Sequence, residues 1–537
     1  MADIANLKDP GLPGETQFDT VIYGSPPLAY GAPLNQYVIY NTPDPAYVTG
    51  RINVSAFANL GGGAVWPFAN TNVPLNGHIC IPRGRGPFPL AVFAHGNHNP
   101  LENSTPGYLY LCQLLASHGI IAATIDVNFL NGGNFGENDG RAIVHLEHLK
   151  QFRTWNNTAT HPLHGKVDLN RILIVGHSRG GEGVGHASYF NNLPSIGAVV
   201  LDGAGPFFLG PYRFRLAAVA AIAPTDRQFI PTTGPTVVPD SYYVIHGSRD
   251  GDVSDFQGYH TYERAQAVDQ ANPTVTNGKF RAMLWVYNAN HNQFNSAWTS
   301  ETGPGVAMPR PSQEQIAKAH LGALAQQVLL DRAEYLDVLR DHGTAVNWDP
   351  PGSNFVSQYL DPERILVQHN QEGIGAPVVS LPVQGAVAAD GVVATRAMTL
   401  LTGGVTTTIT LRLVWNALGQ RLLLTVDPAT LPAERYKVLA LRVGQSTDPN
   451  NAANRDQDFT LEVSSGSRTA SVPVSSLHRL LYPDTTFGAK IMMQSMRLPV
   501  EQLIERGVEP RDIRTIAFFF DRRTAGTVYV GDLSFSN

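Results

Sequence analysis

The sequence predicts an α/β protein with a second, all-β part, and two patterns carry this prediction. Between about residues 76 and 342, apolar runs of four to eight residues alternate with helical patterns. This alternation is typical of parallel strands that are covered by helices on both faces. From about residue 353, short alternating runs follow one another without helices between them, which is typical of a β-sandwich. A chain of 537 residues is also too long for one compact core.

The elements of the α/β part follow the chain in order. Its strands are predicted at NGHICIPRG, FPLAVFAHG, IIAATIDVN, RILIVGHS, GAVVLDG, LAAVAAIAP, YYVIHGSRD and FRAMLWVYNAN. Its helices are predicted at GYLYLCQLLASHG, DGRAIVHLEHLKQFRTW, GEGVGHASYF, DFQGYHTYERAQAV and SQEQIAKAHLGALAQQVLLDRAEYLDVLRD. Open α/β sheets of this kind place their sites at the carboxyl ends of the strands.

Three segments divide the chain. Residues 1–342 form the α/β domain, within which residues 1–75 are a Pro- and Gly-rich extension of short strands and loops. Residues 343–352 are the predicted linker, and residues 353–537 the predicted β-sandwich. Strands of the sandwich are predicted at TTTITLRLVW, RLLLTVDP, YKVLALRVG, DFTLEV, TASVPV, TIAFFFD and TVYVGDLSF.

Composition excludes several classes of function. The net charge is −6 and no basic block occurs, so nucleic-acid binding has no electrostatic support. No apolar run approaches 18 residues, which argues against a membrane partner. The first residues carry no signal-peptide pattern, so we expect either a cytoplasmic protein or the mature form of a secreted one. Cys80 and Cys112 are expected to be buried free thiols.

A candidate nucleophile stands at the end of an apolar strand, in the pattern Gly176-His177-Ser178-Arg179-Gly180. Gly-x-Ser-x-Gly between a strand and a helix marks a sharp turn that exposes the serine hydroxyl above the sheet. Glycines beside the serine leave room for neighbouring backbone. The free N–H groups of the following helix point towards the same place.

A serine nucleophile needs a base and an acid that orients the base. Asp250 follows the strand YYVIHG, and His291 follows the strand RAMLWV, in the chain order that this architecture requires. Asp252 is the alternative acid, but the turn pattern favours Asp250. His246 and His260 compete as bases, although neither projects from a strand end. Calcium ligation by Asp250, Asp252 and Asp255 is a further alternative, but the sequence contains no complete calcium-binding loop.

The strand LAVFA ends in His95-Gly96-Asn97, an element typical of an oxyanion-hole loop. The backbone N–H groups of Asn97 and Arg179 are therefore the predicted oxyanion donors. For the Arg179 side chain, an ion pair with Glu182 and a contact with substrate remain open alternatives.

Jointly, VFAHGNHNP, LASHGIIAATIDVN, VDLNRILIVGHSRGGEG, YVIHGSRDGDV and NANHNQFN resemble the α/β-hydrolase fold, a mostly parallel sheet with helices on both faces. They are most similar to its chlorophyllase, dienelactone hydrolase and cutinase or polyester hydrolase branch. The resemblance covers about residues 70–340 and implies a Ser178–His291–Asp250 triad. Polyester hydrolases usually have an aromatic residue in place of Asn97 and methionine in place of Arg179. An arginine beside the nucleophile also resembles glucuronoyl esterases.

The C-terminal part resembles the jelly-roll modules of secreted hydrolases, many of which bind carbohydrate. Sugar platforms need exposed aromatic rings, whereas the aromatic residues here alternate as core residues do. These are Trp415, Phe459, Phe518, Phe520 and Tyr529.

The predicted function is a serine hydrolase that cleaves carboxylic esters through an acyl-enzyme, without a cofactor or a metal. Its substrate is a small-molecule or polymeric ester. Residues 202–215 are predicted to form a flap, and Phe207 and Phe208 of this flap are predicted to contact substrate. His177, which precedes the nucleophile, is also a predicted substrate contact. One alternative is a polysaccharide-directed carbohydrate esterase or polyester hydrolase anchored by the β-sandwich. The other is a non-catalytic binding protein.

Overall fold

The computed structural model divides the chain into two compact units. The first consists of Met1–Gln266, Val286–Leu339 and Thr344–Ser353, and the second of Ala267–Trp285, Arg340–Gly343 and Asn354–Asn537. The residues that the structure describes are 7–26, 28–133, 136–197, 209–229, 232, 235, 237–265, 278–299, 301, 307–368, 385–401, 404–486 and 491–537.

The first unit contains the strands up to β9. They are β1 (Phe18–Tyr23), β2 (Arg51–Ile52), β3 (Val73–Pro74), β4 (Gly77–Pro82), β5 (Phe88–Ala94), β6 (Ile121–Ile125), β7 (Val167–His177), β8 (Leu216–Ile222) and β9 (Tyr242–Gly247). The described α-helices of the whole chain are α1 (Val38–Asn41), α2 (Leu109–Ser117), α3 (Asn138–Asn157), α4 (Arg179–Asn192), α5 (Gly258–Arg264), α6 (Arg310–Leu330), α7 (Leu336–Arg340) and α8 (Val500–Glu505).

The large sheet of the first unit is mixed. Its strands lie in the order β1-β4-β6-β5-β7-β8-β9. The pairs β1–β4 and β4–β6 are antiparallel, whereas the pairs from β6 through β5, β7 and β8 to β9 are parallel. The strands β5, β7 and β8 therefore end on the same edge of the sheet, with β7 between the other two.

The second unit contains the remaining strands. They are β10 (Arg281–Val286, whose last residue is grouped with the first unit), β11 (Phe355–Leu360), β12 (Arg364–Gln368), β13 (Gly385–Asp390), β14 (Val393–Leu401), β15 (Gly404–Trp415), β16 (Gln420–Val426), β17 (Val438–Gln445), β18 (Thr460–Ser465), β19 (Arg468–Pro473), β20 (Gln494–Pro499), β21 (Ile513–Phe520) and β22 (Gly526–Ser536). Two antiparallel sheets, β14-β15-β22-β17-β20 and β13-β16-β21-β18-β19, contribute to one apolar cluster.

For the chain as a whole, the predicted α/β-hydrolase fold class is wrong. The large sheet is mixed rather than parallel, several further sheets are antiparallel, and helices form a minority of the described residues. Apolar runs report that a strand is buried, but they do not report its direction, so the antiparallel strands β1 and β4 could not be distinguished from parallel ones. The predicted helices, by contrast, are present as α2, α3, α4, α5 and, with a break after Leu330, α6 and α7.

The aromatic residues of the second unit lie in its core. Trp415, Phe459, Phe518, Phe520 and Tyr529 are all buried. The rings of Trp415 and Phe520 stack with centroids 4.2 Å apart. These five side chains therefore contribute apolar burial and offer no exposed platform for a sugar ring.

Two predictions about individual segments can be compared with the structure. Cys80 and Cys112 are free and buried, which confirms the expectation of buried thiols. No helix among the described residues is long and apolar enough to cross a membrane.

Candidate active site

The candidate nucleophile sits in a strained turn between β7 and α4. Ser178 has φ 58° and ψ −127°, immediately after the last residue of β7 and before the first residue of α4. A non-glycine residue with positive φ in this region costs free energy and is retained where the surroundings fix it. Ser178 is buried at 1% exposure, and the first turn of α4 directs its N–H groups towards it.

Both glycines of the pattern are required by close backbone approaches. A Cβ atom on Gly176 would lie 2.0 Å from the carbonyl oxygen of Gly180, and a Cβ on Gly180 would lie 2.5 Å from that of His95. Both distances are shorter than any real contact of a Cβ atom. The turn can therefore form only because neither position carries a side chain.

The structure brings the predicted acid and base together. Oδ2 of Asp250 lies 2.8 Å from Nδ1 of His291, and both side chains are buried. The N–H groups of Asp252 and Val253 donate to Oδ1 of Asp250, at 3.0 and 2.6 Å, and so fix the carboxylate in its turn. Burial works to raise the pKa of Asp250, but the charge of His291 and its hydrogen bond lower it below the ordinary value.

Three carboxylates raise the pKa of the candidate base. Burial works to lower the pKa of His291, but Asp250, then Asp252 and Glu301, raise it above the ordinary value of 6.5. Oδ2 of Asp252 lies 3.4 Å from Nε2 of His291 and belongs to a side chain that is 66% exposed. Within the described part of the chain, Nε2 of His291 has no hydrogen-bond partner. Asp250 thus orients the ring, and Asp252 lies near Nε2, the nitrogen that would accept the proton of a nucleophile.

His177 connects the nucleophile turn with the base. Its ring centroid lies 4.8 Å from that of His291, so the end of β7 and the loop of the base pack against each other. Its Nδ1 lies 2.8 Å from the hydroxyl of Tyr108, and the side chain is fully buried. The predicted contact of His177 with substrate stays a prediction, because all of these contacts are with protein side chains.

The competing histidines, His246 and His260, make longer contacts with carboxylates than His291 does. Nδ1 of His260 lies 3.4 Å from Oδ2 of Asp226. His246 is buried inside β9, with its Nδ1 3.6 Å from Oδ2 of Asp250. Among the three histidines, His291 has the shortest contact with the Asp250 carboxylate.

The loop after β5 lies against the nucleophile. A Cβ atom on Gly96 would be 2.9 Å from Oγ of Ser178. The backbone N–H of Val127 donates to Nε2 of His95 at 3.0 Å, and Nδ1 of His95 lies 2.9 Å from the Gly96 carbonyl oxygen. Nε2 of His95 is thus an acceptor and Nδ1 the donor. The Asn97 side chain accepts the N–H of Gly132 at 2.9 Å. These contacts fix the backbone of the predicted oxyanion loop.

The side chain of Arg179 does not pair with Glu182, which was one of the two sequence-based alternatives. Its Nη1 donates instead to Oε1 of Glu137, at 2.9 Å. The same oxygen also accepts hydrogen bonds from Nε and Nη2 of Arg141, both at 3.2 Å. Arg141 also donates to the carbonyl oxygen of His95 at 3.4 Å. Burial lowers the pKa of Arg141 to about 10, so the guanidinium keeps its charge at neutral pH.

Glu301 joins the loops of the acid and the base, and sequence reasoning missed it. Its Oε1 accepts the N–H of Gly251 at 3.0 Å and that of His291 at 2.9 Å, and its Oε2 accepts the N–H of Asn292 at 3.0 Å. Burial raises the pKa of Glu301. Glu301 does not directly follow a strand, so no pattern pointed to it.

An indole ring covers the imidazoles of the site. The Trp298 centroid lies 4.9 Å from that of His177 and 6.4 Å from that of His291. On the same ring, His98 stacks at 4.9 Å with an interplanar angle of 9°. The indole N–H donates to Oγ of Ser104 at 2.9 Å, which fixes the ring orientation. Trp298 was also missed, because a single tryptophan in a loop carries no periodic signal.

Phe207 and Phe208 of the predicted flap lie outside the described residues, as do residues 202–206.

Comparison with known proteins adds no family. The chain matches no protein-family model and none of the curated proteins.

Proposed function

We propose that this protein is a serine hydrolase that cleaves carboxylic esters through an acyl-enzyme. The observation that carries the proposal is the strained Ser178 turn at the end of β7, against which a buried Asp250–His291 pair is packed. Strain at a single polar residue is retained at sites where the strained conformation serves the function. The sequence resemblance to chlorophyllases, dienelactone hydrolases and cutinases supports the same class of reaction.

In the proposed reaction, Oγ of Ser178 attacks the ester carbonyl carbon while Nε2 of His291 accepts the hydroxyl proton. Asp250 holds Nδ1–H of the ring and stabilises the imidazolium that forms. The C–O bond to the alcohol then breaks, and His291 returns the proton to the leaving oxygen. Water attacks the acyl-enzyme in the second half, with His291 again taking the proton and Ser178 leaving.

The oxyanion would be stabilised by the backbone N–H groups of Asn97 and Arg179. The first belongs to the loop that contacts Ser178, and the second to the first turn of α4. Loss of one such donor typically costs about 2.7–4 kcal/mol of transition-state stabilisation. The buried Glu137–Arg141–Arg179 cluster supports both donors, because it contacts the His95 carbonyl and the first residue of α4.

A polysaccharide ester is the second candidate substrate, and a cavity of 370 Å³ in the second unit favours it. Three aspartates and three arginines line the cavity, together with Ser475 and Gln457. Arg479 pairs with Asp456 and Arg522 with Asp458 in this lining, so sugar hydroxyls would bind to the remaining donors and acceptors of these groups. The volume suits a small ligand. Binding of the full chain to insoluble polysaccharide would test whether this cavity anchors the substrate. If the protein is not retained, a polysaccharide ester is excluded as the substrate.

The test of the esterase proposal is hydrolysis of p-nitrophenyl acetate, butyrate and octanoate and of a polymeric ester. We expect activity in the wild type and a loss on the order of 10⁴-fold or more in Ser178→Ala. Ser467→Ala, which removes an exposed hydroxyl in the second unit, is the matched control and should keep wild-type rates. Activity that survives Ser178→Ala would contradict the proposal. A wild type without activity on all four esters would favour the non-catalytic alternative.

A further inference from the structure

A second group of ionisable side chains lies wholly within the second unit. Asp341, His342 and His478 each offer a ligand atom, and these atoms lie within 4.8 Å of one another. The two imidazole rings have centroids 4.4 Å apart, with an interplanar angle of 31°. Among the residues that the structure describes, no other group of three histidine, cysteine or acidic side chains has ligand atoms this close together.

The surroundings orient each of the three side chains. Oδ1 of Asp341 lies 2.7 Å from Nε2 of His478 and accepts the N–H of Gly343 at 2.7 Å. Nδ1 of His342 lies 2.8 Å from the hydroxyl oxygen of Ser357. Metal-bound histidines typically use their second ring nitrogen in such a hydrogen bond, which fixes the ring and leaves Nε2 for the metal. The Ser357 contact therefore resembles the outer shell of a metal site.

The turn is also packed tightly around the acid. A Cβ atom on Gly343 would lie 3.0 Å from Oδ1 of Asp341 and 3.0 Å from Cε1 of His478. The absence of a side chain at Gly343 lets the backbone approach both groups. The backbone at Gly343 therefore lies close to both the carboxylate and the imidazole.

We propose that Asp341, His342 and His478 bind a zinc ion. Two imidazoles and one carboxylate form a donor set that suits zinc and that hard cations such as calcium do not prefer. Donors at about 2.0–2.2 Å from a tetrahedral zinc lie about 3.3 Å from one another. The 2.7 Å hydrogen bond between Asp341 and His478 would lengthen by about half an ångström as the ion replaces the shared proton.

Access to solvent completes the site. The Asp341 side chain is 34% exposed and that of His478 is 15% exposed, so an ion can enter and keep water as its fourth ligand. The ion would join the turn at Asp341 and His342 to the distant loop of His478, and so restrain a long stretch of chain. Its binding would stabilise the folded protein by mass action.

The test is a zinc titration of the chelator-stripped full-length protein, by calorimetry and by competition with a chromophoric chelator. We expect one zinc ion per chain and a higher Tm in its presence. His342→Ala and His478→Ala should each weaken zinc binding at least tenfold, because each removes one of three protein ligands. His164→Ala, which removes an exposed imidazole outside the cluster, should bind as the wild type does.

This site would be overturned if the folded wild type did not bind zinc at micromolar concentration, or if both cluster variants retained zinc binding. Circular dichroism checks that the variants fold. The absorption spectrum of Co²⁺ in the wild type gives a second measurement that needs no variant, and a six-coordinate, fully hydrated spectrum would also contradict the site. Ser178→Ala should bind zinc unchanged, so this result is independent of the esterase proposal.

Discussion

Two aspartate–histidine pairs, one in each unit, have almost the same length and different surroundings. Asp250 and His291 are 2.8 Å apart, buried, and packed beside the strained turn of Ser178. Asp341 and His478 are 2.7 Å apart and partly exposed, and the ring of His478 packs against a second imidazole. The pair itself therefore does not define a function. The function depends instead on how buried the pair is and on which group lies beside it. A neighbouring serine turn favours proton transfer, whereas a second histidine favours binding of a metal ion.

The surroundings also set the charge of each pair. Three carboxylates near His291 hold its pKa above the ordinary value. The protonation state of His291 therefore controls whether it can act as a base. At the second pair, burial works to raise the pKa of Asp341, but the hydrogen bond and charge of His478 lower it.

The largest expected effect separates the two aspartates that flank His291. Asp250→Asn should lower kcat/KM by about 10⁴-fold, because the amide no longer fixes the productive tautomer of His291. Esterase assays of Asp250→Asn beside Asp252→Asn measure this. If Asp252→Asn has the larger loss, the roles of the two acids are exchanged.

The pH profile of the wild type tests the charge of the base. His291 must be neutral to accept the Ser178 proton, and its pKa is raised, so protons leave it only above the ordinary value of 6.5. We expect kcat/KM to rise about tenfold per pH unit through neutrality, with the bend above pH 6.5. A profile that is already flat at pH 6 would contradict a raised pKa for His291.

Glu301 is predicted to position the base through backbone contacts. In Glu301→Gln, the amide NH₂ cannot accept the N–H of Asn292, and a negative charge near His291 is lost. We expect a fall in kcat of about tenfold, and a rising limb at lower pH than in the wild type.

Glu505→Gln, an exposed change in the second unit, is the control for Glu301→Gln and should alter neither rate nor profile. A Glu301 variant that loses stability but keeps the wild-type pH profile would assign Glu301 a purely structural role.

The smallest expected effect belongs to Asp252→Asn. Removal of this carboxylate, 3.4 Å from Nε2 of His291, should lower the pKa of the base and move the rising limb to lower pH. Solvent screens a side chain that is 66% exposed, so the shift should be less than about one unit and the rate change less than about threefold. A shift to higher pH would contradict the sign of this interaction.

Sequence patterns select candidate residues that stand immediately after strands, and they do not select residues that stand elsewhere. Ser178, Asp250 and His291 each follow an apolar run, so their residue types and order were sufficient to select them. Glu301 acts through backbone N–H groups from a loop that has no periodic pattern. Arg141 lies inside a helix, where its contact with the oxyanion loop leaves no trace in the sequence.

The fold class shows the same limit at larger scale. The positions of β5 and β7 were predictable from their apolar residues, whereas the antiparallel direction of β4 depends on tertiary pairing. His342 and His478 were not selected, because more than a hundred residues separate them and neither follows a recognised motif.

The most direct test of the proposed chemistry is covalent trapping by a serine-directed fluorophosphonate, read by mass spectrometry of the intact chain and its peptides. We expect one adduct per chain on Ser178, no adduct in Ser178→Ala, and much slower labelling in His291→Ala. An unlabelled wild type, or an adduct on another serine, would contradict the assignment of Ser178 as an activated nucleophile.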